Sequence, residues 1–250
     1  MTTVILTAHP ATGYNRLTIT PTADVTRVRR TDANGTYDVR VLDGQLPHAA
    51  PDVLTLDDYE AAKGTSTYAV ITTAGTVSGS IVLALTSPWL GTPETPHYSA
   101  PIASVLTYGA GVVNQSTVHE PDGAPAIVIV RGGSTRRGSM TIQGGSYSTA
   151  LNLLRLCQQG RTMLLRETQH PGMDMFFMPM NADIVTSLAA GAASQFDLSV
   201  QYIEVGRPTG PLAGAFGWTW DDVPASFDNW WDVFDAYANW GDVRLDRRIN

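Results

Sequence analysis

Val25-Thr-Arg-Val-Arg-Arg-Thr-Asp-Ala-Asn34-Gly35-Thr-Tyr37-Asp-Val-Arg-Val-Leu42 sets the fold class. Val25–Arg30 and Tyr37–Leu42 are β-type runs, and Asn34-Gly35 between them is a pair that accepts φ > 0 at low cost. A β-hairpin is expected. Similar runs at Val4–Leu6, Leu17–Ile19, Tyr68–Thr73 and Ser80–Leu85 extend the pattern on both sides. Short strands at this density predict an immunoglobulin- or fibronectin type III-like sandwich over residues 1–90. Asp57-Asp58-Tyr59-Glu60 falls outside these runs and lacks EF-hand spacing, so it reads as a solvated loop.

Pro88, Pro93 and Pro96 crowd Ser87–Pro96. Proline removes backbone donors and opposes both helix and central strand, so a proline-rich linker is expected, placed at residues 91–100. A second β domain is expected over 101–208, from runs at Ile102–Tyr108, Ala126–Val130, Gly138–Gln143, Thr162–Arg166, Met175–Met178 and Phe196–Val205. In the last, Phe196, Leu198, Val200 and Tyr202 alternate with polar residues, the mark of a half-buried antiparallel strand. One helix is expected at about 148–159, with Ser146 or Ser148 as N-cap and Gly160 beyond its end. Its wide apolar stripe, including Leu153, Leu156 and Cys157, predicts packing on a sheet.

Residues 209–250 hold five of the six tryptophans and repeat every ten residues. Thr219-Trp220-Asp221-Asp222-Val223, Asn229-Trp230-Trp231-Asp232-Val233 and Asn239-Trp240-Gly241-Asp242-Val243 are in register, and Phe227 corresponds to Tyr237. Thr or Asn is a good N-cap, and Asp three positions on suits the helix N-terminus. Three short helical turns are predicted, the first expected to stop early or run kinked because of Pro224. So small a segment cannot bury five tryptophans in a core of its own. Trp218, Trp220, Val223, Trp230, Trp231, Val233, Trp240 and Val243 are therefore expected to form an interface, since tryptophan commonly anchors protein contacts. Packing on the chain's own β domains and carbohydrate stacking are the alternative uses.

The formal net charge is -7, and apart from short clusters such as Arg27-Arg29-Arg30 and Arg136-Arg137 the basic residues are scattered, against the footprint of a nucleic-acid binder. Lys63 is the single lysine. Cys157 stands alone, which excludes an internal disulfide and a cysteine-cluster zinc site. The start MTTVILTAHP lacks a signal-peptide pattern and no run approaches membrane-spanning length, so a soluble chain made in a cytoplasm is expected. The sequons at Asn34 and Asn114 are then coincidental. His9, His48, His97, His119 and His170 show no metal-ligand spacing. Gly133-Ser134-Thr135-Arg136-Arg137-Gly138-Ser139 mimics a phosphate loop but lacks its lysine. Met173, Met175, Met178 and Met180 read as a strand face rather than metal ligands. No catalytic, cofactor-binding or metal-binding residue is assigned, and an enzyme is not expected.

Several of these motifs, taken in order, form a recognisable series. Asp58-Tyr59-Glu60-Ala61 with Tyr68 comes first; then Arg137-Gly138-Ser139-Met140-Thr141-Ile142, and a helix ending Gln159-Gly160. Met163-Leu164-Leu165-Arg166, Glu204-Val205-Gly206-Arg207-Pro208 and the tryptophan repeat complete it. The series resembles minor tail proteins, of distal-tail or tail-tip type, of long-tailed phages infecting actinobacteria. The resemblance implies a non-enzymatic virion protein at the tail tip, made in the host cytoplasm. Its β domains would assemble into a homo-oligomeric ring, a hexamer in preference to a trimer, that continues the tail tube. Implied partners are the tail tube protein, the tail hub, other minor tail proteins and the tape measure protein, with no specific nucleic acid and no membrane insertion. Sandwich first and strand-helix-strand unit second differs from the usual distal-tail order. The alternative function is a receptor-binding module of the tail that holds host-wall glycan.

Overall fold

The computed structural model describes residues 1–112, 117–120, 122, 125–129, 135–170, 172–188, 194–214, 218, 220–246 and 248. The protein is mainly β, with several antiparallel sheets and a few short C-terminal helices. It divides into two compact units, one comprising 1–101, 163–175 and 207–250, the other 102–162 and 176–206. The division expected at 90 and 208 thus gives way to an interleaved one. Strand pairing between residues distant in sequence, invisible to composition, is the reason.

In the first unit, β1 (Thr3–His9), β2 (Tyr14–Thr20) and β5 (Leu54–Asp58) form one sheet. The second is β3 (Val25–Asp32), β4 (Gly35–Asp38), β6 (Gly64–Thr72) and β7 (Gly75–Leu83), in the order β4-β3-β6-β7. Leu17, Ile19, Leu54 and Leu56 from the first pack on Val25, Val28, Tyr68 and Val70 from the second, giving a two-layer core. Alternation explains the choice of faces: in β2 the buried Asn15, Leu17 and Ile19 are separated by partly exposed residues. The hairpin expected at Asn34-Gly35 is present, shifted by one residue. Asp32 pairs with Gly35, so Ala33 and Asn34 make the turn. Gly35 takes the left-handed φ of 118° and the Asn34 amide bonds to Asp32 Oδ1 at 2.9 Å.

The proline-rich stretch, expected as a linker, holds β8 (Trp89–Gly91), buried along its length. β8 pairs with β9 (Ala100–Pro101) on one side and β14 (Met163–Arg166) on the other. Pro88, Pro93 and Pro96 flank β8 instead of interrupting it, so no ladder donor is lost. Gly13, at φ 72°, lets the chain pass Trp89 and Arg166 closely: a Cβ there would meet Arg166 Nη2 at 2.9 Å and the Trp89 ring at 3.0 Å.

In the second unit β10 (Val105–Gly111), β13 (Arg137–Gly145), β15 (Met175–Leu188) and β16 (Ser194–Glu204) pair antiparallel in the order β10-β13-β16-β15. Arg137-Gly138-Ser139 thus starts a strand, while Gly133 and Ser134 of the phosphate-loop mimic lie outside the described residues. A two-stranded sheet, β11 (Thr117–His119) with β12 (Ile127–Ile129), stands apart. β15 runs well past Met178, and the register shift at Pro179/Asn181 absorbs its proline. Helix α1 (Tyr147–Cys157) packs on β13 and β16, as its stripe predicts. Ser146 is the N-cap, accepting from the Thr149 amide at 3.2 Å, and Gly160 has φ 64°. Leu153, Leu156 and Cys157 are buried with Ile142 and Leu198, and burial pushes the Cys157 thiol up to about 12, making it inert.

Candidate interaction surface

The acids read as a solvated loop are the reverse: Asp57 and Asp58 end β5, and with Glu60 they are 1–2% exposed. Arginines from distant strands neutralise them. Arg16 grips Asp57 with two bonds of 2.8 and 3.1 Å. Arg30, 2% exposed, binds both Asp58 oxygens at 2.8 and 2.9 Å and lies 2.8 Å from Asp32. Tyr68 donates to Asp58 at 2.9 Å and accepts from Asn15 at 3.0 Å. Burial works to raise the Asp58 pKa, but attraction to Arg30 and bonds from Arg30, the Glu60 amide and Tyr68 outweigh it, leaving it below the usual carboxylate value. Arg166 is handled differently. Its Nη1 donates to the carbonyls of Gly13 and Ala61, its guanidinium lies 5.6 Å over Trp89, and burial pulls its pKa down to about 10.

Glu60 carries this network to the root of the C-terminal arm. It bridges Arg40 at 2.6 Å and Arg207 at 2.5 Å. Arg40 also donates to the carbonyls of Pro208 and Gly210, and the Arg207 guanidinium lies 5.5 Å over the Tyr37 ring. The Leu212 amide then bonds to Val41 O at 2.9 Å and the Ala213 amide to Glu94 O at 2.6 Å. The residues leading into the arm are therefore fixed by charge and backbone bonds.

The arm forms three short helices, α2 (Asp222–Ser226), α3 (Trp230–Ala236) and α4 (Trp240–Arg244). Asn229 caps α3, accepting from the Trp231 and Asp232 amides, and Asn239 caps α4, accepting from the Asp242 amide at 3.0 Å. Each cap's amide nitrogen donates back to the aspartate three residues on, at 2.8 and 2.6 Å. The first repeat differs: Thr219 lies outside the described residues and Asp221 occupies the cap position without a side-chain cap bond. Pro224 does not shorten α2 relative to α4, which also has five residues. As the third residue of α2 it falls where a helix amide has no internal partner to lose.

Of the eight residues expected at an interface, Val223, Val233 and Val243 are 2–3% exposed and pack on one another with Tyr237, forming the arm's own small core. Trp218 packs against that core and donates from Nε1 to Val243 O at 2.6 Å. These four residues hold the helices together and leave little to offer a partner. Gly241, where the second repeat has Trp231, lets α4 approach Leu42, since a Cβ would lie 3.0 Å from Leu42 Cδ1. The remaining tryptophans face outward: Trp220 is 55% exposed, Trp230 56%, Trp231 77% and Trp240 50%. Phe234, at 54%, joins them and was not singled out by the repeat. Trp240 is the hub, its ring 6.2 Å from Trp220, 5.9 Å from Trp230 and 5.7 Å from Phe234, while Trp231 lies 6.1 Å from Phe234. The result is a continuous aromatic ridge.

Other chemistry is sparse. His9 stacks on Tyr14 at 4.6 Å, and burial followed by repulsion from Arg16 lowers its pKa. His170 lies 3.8 Å from Glu167, and His48 bonds to the Asp52 carbonyl. Among the described residues no three metal-ligating side chains converge, and no helix is long and apolar enough to cross a membrane. The sequence matches no protein-family model and no curated protein.

Proposed function

We propose that this chain is a structural component of a bacteriophage tail tip: one subunit of a ring that continues the tail tube, with the C-terminal arm docking on a neighbouring protein. The observation that carries this reading is the aromatic ridge. Trp220, Trp230, Trp231, Phe234 and Trp240 stay half or more exposed although the arm already has a core of valines and Tyr237. Rings that contribute so little to the arm's own packing are suited to contacts outside it. Covering roughly 100 Å² more on each ring would contribute on the order of 10 kcal/mol before association costs. Those costs are about 4–15 kcal/mol, so one arm alone gives a marginal complex. A ring engaging several arms at once gains the missing affinity through effective concentration.

The order of motifs from Asp58-Tyr59-Glu60-Ala61 to the tryptophan repeat supplies the tail-tip assignment through its resemblance to minor tail proteins. The mainly β units suit ring assembly by side-to-side contact, each subunit offering two different faces. The test is incorporation of a Trp230→Ala/Trp231→Ala chain into tails, scored by complementation and by protein content of purified particles. The variant is expected to fold, because Val233 and Tyr237 are retained, and to be depleted from tails. Wild-type incorporation would contradict the docking role.

A further inference from the structure

Resting on the docking role just proposed, we infer that the ridge receives an arginine-bearing segment of a partner protein. Charge supplies the first argument. Residues 209–250 contain seven aspartates against three arginines, with no glutamate or lysine. Asp221, Asp228, Asp232 and Asp235 are exposed and interleave the ridge residues along the chain. A wholly apolar partner would strip water from these carboxylates without replacing it, and an acidic partner would be repelled. A cationic partner answers both surfaces at once.

The arm itself contains the contact in miniature. The Arg248 guanidinium lies 5.2 Å over Phe227 and 5.7 Å over Trp218, with its Nε 3.1 Å from Asp246 Oδ1. Ring, guanidinium and carboxylate meet in one place there; the ridge offers exposed rings and, interleaved with them in sequence, exposed carboxylates. Arginine fits better than lysine, because its planar guanidinium stacks on an indole face while its N–H groups reach a carboxylate at the edge. The rings around Trp240 are tilted by 51–72° to it, in tilted and edge-to-face contacts rather than face-to-face stacks, and each stays half or more exposed.

The experiment is a tryptophan-fluorescence titration of the full chain with arginine-glycine, lysine-glycine and aspartate-glycine repeat peptides of equal length. The arginine peptide is expected to bind at least about tenfold tighter than the lysine peptide, with no binding by the acidic one. Trp230→Ala and, separately, Asp228→Asn/Asp235→Asn are each expected to weaken arginine-peptide binding at least about fivefold. Equal affinity for arginine and lysine peptides, or affinity unchanged in both variants, would overturn the inference. So would sedimentation of the unliganded chain as dimers that Trp230→Ala dissolves, which would make a second copy the occupant. If tails exclude Trp230→Ala/Trp231→Ala while the arginine peptide shows no preference, docking stands and the arginine assignment falls. Selective arginine binding with normal incorporation gives the opposite result.

Discussion

Replacing Asp58 with alanine tests whether the buried ionic network holds the first unit together. Asp58 is 2% exposed and accepts from Arg30, Tyr68 and the Glu60 amide. Truncation removes the carboxylate but leaves a 2% exposed guanidinium with Asp32 as its remaining close carboxylate. Breaking a buried pair in this way costs about 3–5 kcal/mol, because the surviving charge stays desolvated. For a chain of this size each kcal/mol lowers Tm by about 2–4 °C, so a fall of roughly 6–20 °C is expected in scanning calorimetry. Asp38→Asn is the control: its partners Arg27 and Arg29 have side chains 54% and 45% exposed, and a solvated pair of this kind leaves Tm essentially unchanged. If Asp58→Ala lowers Tm no more than Asp38→Asn does, the network is not the anchor described above.

Two further predictions concern the same network and the arm. The folded-state pKa of Asp58 is depressed below its ordinary 3.8, so its contribution is fully present above that value and is lost as pH falls through the lower folded value. The stability gap between wild type and Asp58→Asn, measured by urea unfolding, should therefore be constant above about pH 5 and narrow below about pH 4. Asp174, whose pKa burial raises, contributes with the opposite sign in both chains and drops out of the difference. A gap independent of pH would contradict the assignment. In the arm, Asn239→Ala removes the α4 cap at a cost of about 1 kcal/mol, speeding hydrogen exchange at the Leu245 amide about fivefold. The Tyr237 amide, which closes the helix capped by Asn229 by bonding to Val233 O, should change less, and equal acceleration of both would show that the arm opens as one body.

What the sequence revealed follows from how local each signal is. The hairpin at Asn34-Gly35, the strand ending at Glu204, the Ser146-capped helix and the ten-residue repeat are written in adjacent residues, and all are present. The charge network was not legible, because Asp57-Asp58-Tyr59-Glu60 looks like a polar loop until Arg16, Arg30, Arg40 and Arg207 are brought to it from elsewhere in the chain. The same holds for β8, whose partner β14 lies some seventy residues on. In the arm, the repeat establishes that Trp and Val positions are equivalent, but not which of them face inward. The valines proved to be the core and the tryptophans the surface, with Phe234 completing the ridge from a position without a matched counterpart.

Ring formation is the central claim, and electron microscopy of the purified full chain, with particle mass measured in parallel by light scattering, tests it most directly. Closed rings of identical subunits, with a central channel, are predicted, and persistent monomers at concentrations well above those used for imaging would contradict the account.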